Sequence, residues 1–284
     1  MIRFGPAGNS DSFYNAGYKK TVEMPKWLNE IGLDAYEYQC GQGVRVGEST
    51  AIEIGERAKE YGIGLSIHAP YFINFANADS QKRENSKKYL YDSLVAAKWM
   101  GANRVVFHPG TKMDLDREVA MSNIMKSLKE FVNEISSTEL SDIFICPELM
   151  GKINQMGTLE EVVEMCKISE ILIPAIDFGH YNARNHGNVK SIDDYKYVFD
   201  YIRNGLGGER AKSIHIHFSR IEFTAGGEKK HWTLDDIEYG PDFEPLAELL
   251  YKEKLEPVII CESKGTMADD ALRMKNMYLA NGEK

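Results

Sequence analysis

The chain has seven histidines, and four of them, His68, His108, His215 and His217, fall at or next to the end of a short apolar run. His180 follows another such run by one short turn, and carboxylates stand at matching places: Glu37, Glu148, Asp177 and Glu262. A single histidine there is ordinarily a hydrogen-bonded wall residue, and a single carboxylate ordinarily caps the next helix. A whole set is different, because crowded carboxylates are costly unless cations neutralise them. Imidazole mixed with carboxylate favours zinc, manganese or iron over calcium. About eight candidate ligands exceed the roughly four to six that one ion takes, so two or more ions are expected, and Glu148 can bridge a pair. Such ions activate water near neutral pH and hold phosphate oxygens during in-line displacement.

These side chains need a scaffold that brings many strand ends to one place. Strand-like runs begin near Ile2, Asp34, Ile63, Asn103, Ile143, Ile173, Ser213 and Pro257. Most are short, apolar and β-branched or aromatic, as in a parallel sheet covered by helices. Amphipathic helical patterns separate them, such as Ile124, Leu128, Phe131, Val132 and Ile135. Thr158 with Glu161, and Ser191 with Asp194, have capping-box spacing. Gly32, Gly62 and Gly101 stand where helices should end. Eight such units with right-handed crossovers close into an α/β (β/α)8 TIM barrel whose strand C-termini share one mouth. The runner-up, an open doubly wound sheet, calls for a GxGxxG turn after the first strand, and Gly5-Pro6-Ala7-Gly8-Asn9-Ser10 lacks it. No linker or composition break interrupts residues 1–284, so one domain is expected.

Composition narrows the function classes. The 284 residues are 43% hydrophobic and carry a formal charge of −9, which argues against sequence-independent coating of nucleic acid. No run has the roughly 18 apolar residues needed to cross a bilayer, and the start lacks a signal-peptide pattern. A cytoplasmic location is therefore expected. Cys40, Cys146, Cys166 and Cys261 make no CxxC pair and read as reduced, mostly buried side chains.

The segments His68-Ala69-Pro70-Tyr71-Phe72-Ile73-Asn74 and Phe107-His108-Pro109-Gly110 resemble the endonuclease IV family of abasic-site endonucleases, within the xylose-isomerase-like barrels. Weaker matches are Pro147-Glu148, Asp177-Phe178-Gly179-His180, His215-Ile216-His217 and Cys261-Glu262-Ser263. The resemblance implies a TIM barrel holding three zinc ions. By position it gives His68, His108 and Glu148 to the first metal, Glu148, Asp177, His215 and Glu262 to the second, and His180 and His231 to the third. It assigns catalytic roles to Glu148 and Glu262 and a DNA-inserting role to Tyr71. It implies hydrolysis of the phosphodiester 5′ to an abasic site in DNA. Arg45, Arg220, Lys229 and Lys230 are the cations placed to meet DNA phosphates from the rim. One departure stands out: the family has Asp two residues before the third-site histidine, and this chain has Lys229. A protonated lysine cannot ligate, and Glu228 is the substitute that a shifted loop would supply.

Two other classes compete. A sugar isomerase or epimerase needs only the core Glu148, Asp177, His215 and Glu262 around one ion, with two carboxylates flanking a substrate carbon. A non-enzymatic metal-binding barrel would keep the ligands without either activity. The expected cofactor is zinc, two or three ions, with manganese as the alternative; no protein partner is evident from the sequence.

Overall fold

In a computed structural model, residues 1–282 are described. Their strands are β1 (Arg3–Pro6), β2 (Ala35–Gln39), β3 (Gly64–His68), β4 (Arg104–Phe107), β5 (Phe144–Pro147), β6 (Ala175–Asp177), β7 (His215–Phe218), β8 (Arg220–Thr224), β9 (Gly227–Trp232) and β10 (Val258–Cys261). All but β8 and β9 pair in parallel, in the orders β1-β10-β7-β6 and β2-β3-β4-β5. The parallel bridges Ala7–Glu37 and Glu148–Ala175 join these two arcs, so the strands close into the expected eight-stranded barrel. The strands start within two residues of the expected places. β6 is the shortest, since Pro174 just before it has no N–H for the ladder.

The helices follow the sequence signals. Ile124, Leu128, Phe131, Val132 and Ile135 are all buried along the helix Arg117–Ile135. Thr158 and Glu161 form the capping box of Leu159–Cys166, and Ser191 and Asp194 form that of Ile192–Leu206. Gly62 and Gly101 end their helices in the left-handed conformation. All four cysteines are free and buried, and burial pushes the thiols of Cys40, Cys146 and Cys261 up to about 12.

Alternation along the strands decides what faces the barrel interior. Val106, Cys146, Ile173 and Ala175 form a small apolar cluster there, separate from the main core between barrel and helices. The other side of the interior is polar: Glu37, Ser66, His215 and His217 are all buried. The antiparallel β8–β9 hairpin follows β7 directly and is an addition to the eight expected units. Its signal was present, in the alternation Arg220-Ile221-Glu222-Phe223-Thr224 followed by Ala225-Gly226-Gly227.

Candidate metal centre

His68 ends β3, and His108 follows β4. Their two loops are tied together by Asn74. Its Oδ1 accepts from Thr111 N at 3.2 Å and Ala76 N at 3.1 Å, and its amide donates to Thr111 O at 3.2 Å. Gly110 makes this approach feasible: its φ is +129°, and a Cβ there would lie 2.1 Å from Asn74 Oδ1. The tie explains why Asn74 and Gly110 accompany the two histidines in sequence. Both imidazoles then converge on Glu148, with His68 Nε2 and His108 Nε2 each 3.1 Å from Oε2. His68 Nδ1 lies 2.9 Å from the carbonyl of Ala69, which fixes Nε2 as the nitrogen turned to the cluster.

A second group surrounds the other Glu148 oxygen. Glu148, Asp177, His217 and Glu262 each offer a ligand atom, all within 4.8 Å of one another. His217 Nδ1 is 3.3 Å from Glu148 Oε1 and 3.5 Å from Glu262 Oε1. Asp177 has two tasks. Its Oδ1 accepts from His180 N at 2.7 Å, capping the helix Phe178–Arg184, while its Oδ2 is buried with no hydrogen-bond partner. His180 Nδ1 stands 3.5 Å from that oxygen, and a buried carboxylate oxygen without a hydrogen bond is costly unless a cation completes it.

His215 corrects the sequence expectation. The family resemblance gives it to this second group, but it lies deeper in the barrel, where its Nε2 is 3.0 Å from Glu37 Oε2. His217, two residues later on the same face, takes the place at the mouth. Both residues point inward by alternation, and sequence alone does not reveal which depth matches Glu148 and Glu262.

The third group is His180, Glu228 and His231. His180 Nε2 lies 3.3 Å from Glu228 Oε2, and His231 Nε2 lies 3.9 Å from Glu228 Oε1. Glu228 joins because the hairpin is bulged. Glu222 pairs with Lys230 and Phe223 pairs with Glu228, which leaves Lys229 as the extra residue. The bulge reverses the alternation at that point, so Glu228 shares a face with His231 and Lys229 does not. Lys229 instead ion-pairs with Glu222. Gly151 makes room opposite, since a Cβ there would stand 2.6 Å from Glu228 Cβ and 3.0 Å from His180 Cδ2. Ser219 Oγ lies 2.8 Å from His231 Nδ1 and Leu149 O lies 3.0 Å from His180 Nδ1, so both Nε2 atoms face Glu228.

The electrostatics agree with a cation site. Burial opposes charge on Glu148, yet the imidazoles of His108 and His217 hold its carboxyl well below the usual range. Burial likewise opposes charge on His217 and His180, but Glu37 and Glu262 beside the first, and Asp177 and Glu148 beside the second, raise both rings well above the ordinary histidine value. Burial pushes Glu262 up, with Glu148 and Asp177 adding to the effect. The carboxylates thus draw positive charge into a space largely shut from water. Donor type, the Asp177 oxygen that lacks a hydrogen bond and this pull together fit divalent ions.

The clusters open into a cavity of about 770 Å³ whose lining includes Tyr71, Lys152, Lys229, Lys230 and Lys264. Tyr71 is 58% exposed, with its ring 5.4 Å from that of His108. The other rim candidates differ. Arg45 is exposed, beside Gln42 and away from the cavity lining. Arg220 is not a rim cation: it is largely buried, bonded to Tyr239 O and ion-paired with Asp242 at 2.7 Å. Lys152 and Lys264 line the mouth and were missed, because an isolated loop lysine carries no sequence signal.

Residues 25–277 match the family described as xylose isomerase-like TIM barrel. The chain belongs to that family. An uncharacterized protein of Methanocaldococcus jannaschii is 31% identical over 281 residues, 97% of this chain and 96% of that protein. A probable endonuclease 4 of Staphylococcus carnosus is 31% identical over 186 residues, covering 63% of this chain and 60% of that protein. Among solved structures, a D-tagatose 3-epimerase-like protein matches with TM-score 0.73 at 22% identity, over 99% of this chain and 97% of that one. Endonuclease IV from Thermus thermophilus matches with TM-score 0.68 at 20% identity, over 99% of both. At such identities the two structures establish the shared fold. Among the described residues, no helix is long and apolar enough to cross a membrane.

Proposed function

We propose that the chain is a metal-dependent phosphodiesterase of the endonuclease IV type, hydrolysing DNA 5′ to abasic sites. The observation that carries this reading is the breadth of the ligand set. Three clusters meet at one mouth: His68, His108 and Glu148; Glu148, Asp177, His217 and Glu262; His180, Glu228 and His231. An isomerase core needs only the second of these. The similarity to probable endonuclease 4 proteins supports the same choice.

Zinc suits the donors, with two or three ions and manganese as the alternative. Bound there, such ions would polarise a phosphoryl oxygen and activate water. The chain's own residues supply the rest. Glu148 joins the first two clusters, so it sets their spacing. Glu262, at 18% side-chain exposure, is the carboxylate nearest the open mouth and is placed to steer an attacking water. Lys152, Lys230 and Lys264 offer charge to flanking phosphates, and the exposed ring of Tyr71 offers a stacking face to an unpaired nucleotide. Lys229 lines the same mouth with its charge shared by Glu222. The protein would act in the cytoplasm as one domain.

The test is incubation of metal-loaded protein with a duplex holding one abasic site. The expected result is a single 5′ cut leaving a 3′-hydroxyl, abolished by chelator. No cut by fully loaded protein would refute the proposal. A second reading, epimerisation of a keto sugar on Glu148, Asp177, His217 and Glu262, is favoured by the likeness to the D-tagatose 3-epimerase-like fold. Proton exchange at a sugar carbon without DNA cleavage would select it.

A further inference from the structure

The polar half of the barrel interior holds one carboxylate that the clusters above do not use. Glu37, on β2, is fully buried and stands against His217. Its Oε1 is 3.0 Å from His217 Nε2 and accepts from Gln39 Nε2 at 3.1 Å. Its Oε2 is 3.0 Å from His215 Nε2 and accepts from Ser66 Oγ at 3.0 Å. Both of its oxygens are thus engaged, and neither faces the mouth.

We propose that Glu37 is a positioning residue that fixes His217 as an Nδ1 ligand, with His215 and Ser66 holding the carboxylate in place. The inference rests on reading Glu148, Asp177, His217 and Glu262 as a metal site. The two nitrogens of His217 face opposite ways. Nδ1 meets Glu148 and Glu262 at 3.3 and 3.5 Å, and Nε2 meets Glu37. A carboxylate on the far nitrogen of a ligating imidazole keeps the proton on that nitrogen, sets the ring plane and strengthens the ligand.

Stability alone does not account for Glu37. The opposite side of the same interior is filled by Val106, Cys146, Ile173 and Ala175, so apolar packing works at this level of the barrel. Buried ion pairs are commonly replaceable by apolar groups without loss of stability. His215 Nε2 and His217 Nε2 approach the carboxylate at 3.0 Å without meeting hydrogen-bond geometry, so Glu37 needs a second restraint. Ser66 and Gln39 provide it, and Gln39 also lines the mouth. One consequence concerns Glu37, His215 and His217, which lie close enough to hold an ion themselves. With the His217 proton on Nε2, that lower trio is a support and not a further metal site.

The experiment uses zinc-loaded protein with ¹⁵N-labelled histidine. Long-range ¹⁵N–¹H spectra should show His217 protonated at Nε2 and metal-bound at Nδ1. Competition with a chromophoric chelator should show Glu37→Gln binding zinc on the order of 10- to 100-fold more weakly, with Glu37→Asp partly restoring it. Coordination through Nε2 in the parent protein, or unchanged affinity in folded Glu37→Gln, would overturn the inference while leaving the metal site intact. A parent protein that binds no zinc would overturn both. The spectrum is taken on the unmodified chain, so the test stands even where the variants do not fold.

Discussion

Removing the Glu228 carboxylate should empty the third cluster, whereas removing Lys229 should leave it filled. Glu228 touches both histidines of that cluster, at 3.3 and 3.9 Å, and its side chain is 15% exposed. A unit charge about 4 Å from a cation contributes roughly 4 kcal/mol per unit of cation charge at an effective dielectric near 20. Water that enters in place of the carboxylate recovers part of this. We expect Glu228→Ala to lose on the order of a hundredfold in affinity for the outermost ion, about 2.7 kcal/mol. Lys229→Ala removes only the extra residue's side chain, which points to Glu222, and should keep the parent stoichiometry. Lys229→Asp should likewise add no ligand, because the bulge turns that position away from His231. Elemental analysis combined with chelator competition measures all three variants. The parent ion count and affinity in Glu228→Ala, or a gain of metal in Lys229→Asp, would refute the bulge argument.

His217→Ala should lose the central ion, while His215→Ala should keep it, bound more weakly, and lower the melting temperature by removing a buried neighbour of Glu37; metal content and thermal melts separate the two. Gly151→Ala forces a Cβ to within 2.6 Å of Glu228 Cβ, and should cost about 1–3 kcal/mol in melts while weakening the outermost ion alone. Burial opposes charge on Glu161, but Arg117 and the backbone N–H groups of Thr158 and Gly157 hold its carboxyl below the usual range. A depressed folded value means this stabilisation is full above the unfolded pKa of about 4.3 and is lost as pH falls through the folded value. Glu161→Gln should therefore lower the melting temperature at neutral pH and converge with the parent in acid.

Much of the barrel was legible because its signals are local. Apolar runs set the strands, caps set the helix starts, and the ligand residues sat at run ends such as His68 and Glu148. What escaped depended on depth and register. His215 and His217 are equivalent by alternation, and only the closed barrel assigns one to Glu37 and the other to Glu148. Lys229 occupied the family's ligand position by count, yet a one-residue bulge passed the task to Glu228. Arg220 read as a rim cation until the hairpin and the loop beyond it buried its guanidinium against Tyr239 and Asp242. Each of these is set by pairing: the hairpin alternation and the Glu228 alternative are visible in the sequence, but the depth and register that assign each side chain are not.

Three adjoining ligand clusters, and not one, stand at the barrel mouth. Elemental analysis of the purified chain, giving metal identity and ions per molecule, tests this most directly. Two or three ions are expected, chiefly zinc, with the count falling by one in Glu228→Ala. A single ion per chain, unchanged by that substitution, would contradict this and return the choice to the epimerase reading.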